Sequence, residues 1–62
     1  MRFRYRNYKG DVSVRHVVPN AHRPLVWSSN KYHPQKQWLL RAYDVDKRAV
    51  RTFAVKDILE HL

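Results

Sequence analysis

The chain has 62 residues, no cysteine and one glycine, with a formal net charge of +8 from 13 Lys and Arg against 5 Asp and Glu. This length allows one domain, residues 1–62, with a small core, and without cysteine neither a disulfide framework nor a thiolate metal site can brace it. No run approaches the ~20 apolar residues of a membrane span, and Met1 leads into alternating arginine and aromatic residues rather than an apolar leader, so the expectation is a cytoplasmic protein without membrane contact.

Arg2-Phe3-Arg4-Tyr5-Arg6 alternates with period two, which predicts a half-buried strand with Phe3 and Tyr5 inward and the arginines outward. Asn7 to Asp11 forms a turn in which Gly10 is free to take a positive φ. Val12 to Val18 is rich in β-branched residues and completes a hairpin. Pro19 ends that strand, and Pro24 closes the loop from Asn20 to Arg23. Leu25-Val26-Trp27 is a brief strand, and Ser28 to Lys36 is a long polar turn.

Gln37 to Tyr43 predicts a strand with apolar groups on both sides: Trp38, Leu40 and Ala42 on one, Leu39, Arg41 and Tyr43 on the other. Asp44 to Arg48 is a tight connection, and Ala49 to Ala54 is a further strand. In that strand Arg51 shares a side with Phe53, so an inward Phe53 puts Arg51 at the edge of the core. Val55, Ile58, Leu59 and Leu62 fall at helical spacing and predict about two turns of helix packed on the sheet. The fold expected is mainly β: a small, bent Sm-like or SH3-like sheet, or partly open barrel, of about five strands with a short C-terminal helix. A flat three-stranded sheet with one helix is the alternative.

The excess positive charge favours an anionic partner such as nucleic acid, a nucleotide or an acidic protein. Catalysis has little basis, since a phosphate-binding glycine loop, a cysteine nucleophile and an elbow around Ser13, Ser28 or Ser29 are all lacking. His16, His22, His33 and His61 show no metal-ligand spacing, so neither a metal nor another cofactor is expected. Arg2, Arg4 and Arg6 form a stripe at about 7 Å spacing, suited to tracking phosphates or to blunting an exposed strand against edge pairing. Ser13 and Arg15 lie opposite Val14 on the second strand. A pocket holding Ser13, Arg15, Arg51 and Arg41 would present forked donors to phosphate or carboxylate; the alternative is a salt bridge to Asp44, Asp46 or Asp57.

Tyr5, the run Val14-Arg15-His16-Val17-Val18-Pro19, the strand Trp38-Leu39-Leu40-Arg41-Ala42, the triplet Arg51-Thr52-Phe53 and Ile58 together resemble the WYL domain family. The likeness spans Phe3 to Ile58, and His33 to Leu40 resembles the corresponding segment of short stand-alone bacterial members. Leu39 stands where the name motif has tyrosine, and Asp57 stands where the family residue is often basic. The resemblance implies an Sm-like or SH3-like barrel with a ligand-sensing role in bacterial transcription or phage-defence regulation. It implies a basic groove for nucleotides or nucleic-acid strands. By motif that groove maps onto Arg15 and Arg51, with Ser13 and His16 beside Arg15 and Trp38 at the aromatic position.

The expected function is therefore a non-enzymatic module that binds a nucleotide or single-stranded nucleic acid. Arg15, Arg41 and Arg51 would neutralise phosphate, Ser13 and His16 would add hydrogen bonds, and Trp38 or Tyr43 would stack a base. The alternative is a protein–protein interaction module, or a self-associating one, docking through exposed aromatics such as Trp27 and Tyr32.

Overall fold

The computed structural model describes residues 1–62. Six strands follow one another: β1 (Arg2–Arg6), β2 (Val12–Pro19), β3 (Leu25–Ser28), β4 (Gln37–Asp44), β5 (Ala49–Ala54) and β6 (Ile58–His61), with a 3-10 turn at Val55–Asp57. The sheet order is β3-β4-β2-β1-β6, and β5 pairs with β4. All pairings are antiparallel.

The curl of the sheet comes from β2. Its first part, Val12 to His16, pairs with β1, and its last residues, Val17 to Pro19, pair with Ala42 to Asp44 of β4. One strand thus belongs to two sheets and must bend between them. β4 takes β5 along one edge and β3 and β2 in succession along the other. The result is a mainly β, half-barrel sheet whose concave side holds the core.

Period-two alternation builds that core. Phe3, Tyr5, Val17, Leu40, Ala42 and Phe53 form one buried cluster, with Ile58 packed against it. Three rings meet edge to face: Phe3–Phe53 at 5.4 Å, Tyr5–Phe53 at 5.0 Å and Phe3–Tyr5 at 6.0 Å between centroids. Such pairs add about 0.5–1.5 kcal/mol beyond their buried area. The Tyr5 hydroxyl accepts a 2.9 Å hydrogen bond from the backbone N–H of Ala54, pinning the end of β5 to β1. On β4, Leu40 and Ala42 join the cluster, whereas Leu39 is buried on the other side, opposite Val26 and Ala54. Both sides of this strand are thus apolar at its middle, as its sequence suggests.

The turns follow local chemistry. Asn7 Oδ1 accepts from the N–H groups of Lys9 (2.9 Å) and Asp11 (3.0 Å), and Gly10 takes φ +89°. Only glycine adopts that backbone region without steric cost.

The expected C-terminal helix is not present. Val55–Asp57 makes a single 3-10 turn, and Ile58–His61 runs as a strand along β1. A two-turn helix would satisfy its own backbone but leave the outer edge of β1 unpaired. As a strand, the same residues supply that edge, through Phe3↔His61, Arg4↔Glu60 and Tyr5↔Ile58 with a register shift between Arg4 and Tyr5. Only Ile58 of the four helically spaced residues meets the core; Val55, Leu59 and Leu62 are exposed.

Burial raises the Tyr5 phenol above its ordinary pKa of 10.0; the hydrogen bond from Ala54 opposes that rise, Asp57 adds to it and Arg15 opposes it. The folded value lies above the unfolded one, so the phenol's contribution to stability is full below pH 10 and is lost as pH climbs from 10 through the folded value. Tyr5→Phe strands the buried Ala54 N–H and is expected to cost about 1–3 kcal/mol in urea unfolding at neutral pH. It should also remove the phenolate absorbance that appears above the ordinary tyrosine range in an alkaline titration.

Candidate functional site

The site is assembled around the β4–β5 turn. Asp44, the last residue of β4, points into the core side and is 1% exposed. Its Oδ1 accepts from the backbone N–H groups of Asp46 and Lys47, both at 3.1 Å, which is how a short acidic side chain shapes a turn. Its Oδ2 accepts from Arg15 Nη1 at 3.3 Å. One carboxylate therefore holds the turn that carries Lys47 and the guanidinium of Arg15.

Arg15 reaches Asp44 because alternation along β2 puts Ser13, Arg15 and Val17 on the concave side. Register sets Arg15 opposite Phe3 and Ser13 opposite Tyr5. The guanidinium lies 5.8 Å from the Phe53 ring centre and 6.0 Å from that of Tyr5, within range of a cation–π contact. The Arg15 side chain is 18% exposed, and its Nε is buried with no acceptor. The sequence left open whether Arg15 meets a ligand or a carboxylate; the fold gives it Asp44.

Arg51 has no such partner. It lies beyond Phe53 on the concave side of β5, exposed, and the three ion pairs of the molecule are Arg4–Glu60, Arg15–Asp44 and Lys56–Asp57. Arg15, Lys47 and Arg51 converge on a cleft of about 320 Å³ whose walls include Tyr5, Tyr8, Tyr32, His33 and Phe53 and no acidic side chain. A second recess on the far side of Arg15, about 260 Å³, is lined by Ser13, Arg15, Asp44, Asp46 and Lys47.

The fold thus brings together Arg15 and Arg51 in one cleft, and Ser13 with Arg15 in the neighbouring recess. Other expected members lie elsewhere. His16 alternates with Arg15 and falls on the outer, exposed side of β2, with Val14 and Val18. The arginine stripe is also outside: Arg2 registers with His16, Arg4 with Val14 and Arg6 with Val12. Arg4 there pairs with Glu60 at 3.3 Å. Arg41 and Tyr43 are exposed on the outer side of β4 and border neither recess. Trp38 keeps the side of Leu40, but at the open end of the sheet. It meets Trp27 edge to face at 5.5 Å in a separate apolar groove with Val55 and Lys56. The structure thus places His16, Arg41 and Trp38 apart from the cleft that Arg15 and Arg51 share.

Tyr8, Lys47 and the cleft face of His33 and Tyr32 had no local signal as a group, because they come from three different turns. Asn30 places the last of these by accepting at Oδ1 from the N–H groups of Tyr32 (3.0 Å) and His33 (2.8 Å). No group of three or more His, Asp or Glu side chains is placed to hold a metal ion. No helix is long and apolar enough to cross a membrane. No protein-family model, curated protein or solved structure matches the chain.

Asp44→Ala removes the partner of a largely buried guanidinium and both turn hydrogen bonds, and is expected to destabilise the fold by about 3–5 kcal/mol in chemical denaturation. Asp44→Asn keeps an oxygen for the Asp46 and Lys47 N–H groups and should cost distinctly less. Equal losses would show that the charge, which both substitutions remove, and not the turn accounts for the effect.

Proposed function

We propose that the chain is a non-enzymatic, WYL-like binding module on an SH3-like barrel, which takes an anionic ligand, a nucleotide or single-stranded nucleic acid, in the Arg15–Lys47–Arg51 cleft. The observation that carries this reading is the charge imbalance at that cleft. Three cations from β2, the β4–β5 turn and β5 line it, and one carboxylate, that of Asp44, answers Arg15. Lys47 and Arg51 have no carboxylate partner. Cations gathered in a concave, partly apolar site attract phosphate and hold it better than the same charges spread over an open surface.

Each charged residue then has a role. Arg51 offers a free guanidinium fork to phosphate oxygens, and Lys47 supplies a mobile point charge. Arg15, held by Asp44, forms the floor between the two recesses and orients the cleft rather than adding full charge. The barrel assignment is supported by the order of elements: a hairpin, a strand shared between two sheets, then a 3-10 turn before a last strand that returns to the first. The WYL assignment rests on the motif likeness between Phe3 and Ile58, and a regulatory setting follows from that likeness alone.

A protein partner is the alternative. It is favoured by the Trp27–Trp38 pair, two residues 57% and 53% exposed around an apolar groove. Large aromatics left on one surface mark contact sites.

Fluorescence anisotropy with a labelled single-stranded oligonucleotide, competed by mononucleotides, separates the two readings. With Lys47 and Arg51 as the cations that neutralise phosphate, the salt exponent is about −1.4, so a fourfold rise in salt should weaken binding about sevenfold. Arg51→Ala or Lys47→Ala should weaken binding and reduce the exponent by about 0.7. Absence of binding at low salt, or binding indifferent to both substitutions, overturns the proposal. Recovery of one specific protein through wild-type but not Trp27→Ala or Trp38→Ala would then favour the alternative.

A further inference from the structure

One feature at the rim of the cleft is not accounted for by charge. Tyr8, from the β1–β2 turn, and Tyr32, from the β3–β4 loop, bring their rings to 4.7 Å between centroids at a 37° tilt. Both border the cleft, yet they remain 58% and 51% exposed. A pair that served only to tie two loops together would be expected to bury more of its surface. Lys9 Nζ stands 5.8 Å from the Tyr8 ring centre, and Lys31 Nζ stands 5.7 Å from that of Tyr32. Neither ammonium has a carboxylate partner.

We infer that the Tyr8–Tyr32 pair is a stacking platform for a flat heteroaromatic ring, so that the cleft selects ligands in which such a ring is joined to phosphate. This rests on the phosphate-binding role proposed for the cleft and adds what the ligand must carry besides charge. Two rings 4.7 Å apart touch each other and leave no gap for a third. The incoming ring therefore stacks on an outer face of the pair, where Lys9 or Lys31 now stands. An exposed cation–π contact is weaker than base–aromatic stacking, so the ring displaces the ammonium. The platform and the phosphate site border the same cleft of about 320 Å³, the lower end of the range for small-ligand pockets and enough for one nucleotide unit. A free nucleotide and one unit of a single strand share this chemistry.

The test compares four probes against the folded 62-residue chain at low salt: adenosine monophosphate, ribose 5-phosphate, a short single-stranded oligonucleotide and an abasic oligonucleotide of equal length. The base-bearing probes should bind about tenfold or more tightly than their base-free counterparts. Tyr8→Ala and Tyr32→Ala should each remove most of that preference while leaving binding of the abasic strand and the salt exponent unchanged. Tyr8→Phe and Tyr32→Phe should retain it, since the ring and not the hydroxyl stacks; this also separates stacking from a loss of loop structure. Preference for the oligonucleotide over the monophosphate identifies a strand as the source, and the reverse a free nucleotide. Equal binding of base-bearing and abasic probes, or a preference that survives both alanine substitutions, overturns the platform while leaving the anion site standing. If no probe binds at low salt, the anion site itself fails, and the platform with it.

Discussion

The carboxylate of Asp44 is the contact on which the rest of the site depends. It is almost wholly buried, so its charge must be answered inside the protein, and the fold answers it three times: with two turn N–H groups and with the guanidinium of Arg15. Those three bonds place Lys47, shape the connection between β4 and β5, and tie β2 to β4 close to where their ladder runs. A buried ion pair is weak evidence of stability by itself, because desolvation offsets much of the attraction. Its value here is positional. With Arg15 lying across Tyr5 and Phe53, the pair forms a wall between two recesses.

The electrostatic character of the cleft follows from what that wall leaves over. Asp44 is used on Arg15, Glu60 on Arg4 and Asp57 on Lys56, all away from Arg51. A chain with 5 acidic residues against 13 basic ones cannot neutralise every cation, so some basic side chains stay unanswered wherever the fold puts them. Most lie on the outer surface, where water screens them. Lys47 and Arg51 lie instead beside aromatic walls in a concave site, where the same charge acts over a lower local dielectric.

The C-terminal segment shows how a local pattern is overruled. Val55, Ile58, Leu59 and Leu62 sit at helical spacing, but an isolated helix of two turns gains little, whereas β1 offers a ladder of backbone hydrogen bonds. The shift in register between β1 and β6 lets Ile58 reach the core while its apolar neighbours remain outside. Four residues at the right spacing were therefore compatible with either structure, and the unpaired edge of β1 decided between them.

Much of the architecture was legible in the chain itself. The alternation of Phe3 and Tyr5, the β-branched run from Val12, the two-sided apolar strand around Leu39 and Leu40, and the Gly10 turn follow from side-chain period and backbone sterics, which are local properties. The same alternation put Arg15 with Ser13 and Arg51 with Phe53, so two arginines of the cleft could be named without coordinates. What lay beyond the chain's local pattern was which side of each strand became concave. That choice leaves Arg41 on the outer side of β4, away from Arg15 and Arg51. It also carries Trp38 to a different groove, and it joins Tyr8 to Tyr32 across 24 positions of chain. Only the tertiary structure decides such matters, because they depend on how β2 bends between two sheets, and no single segment encodes the curvature of its partners.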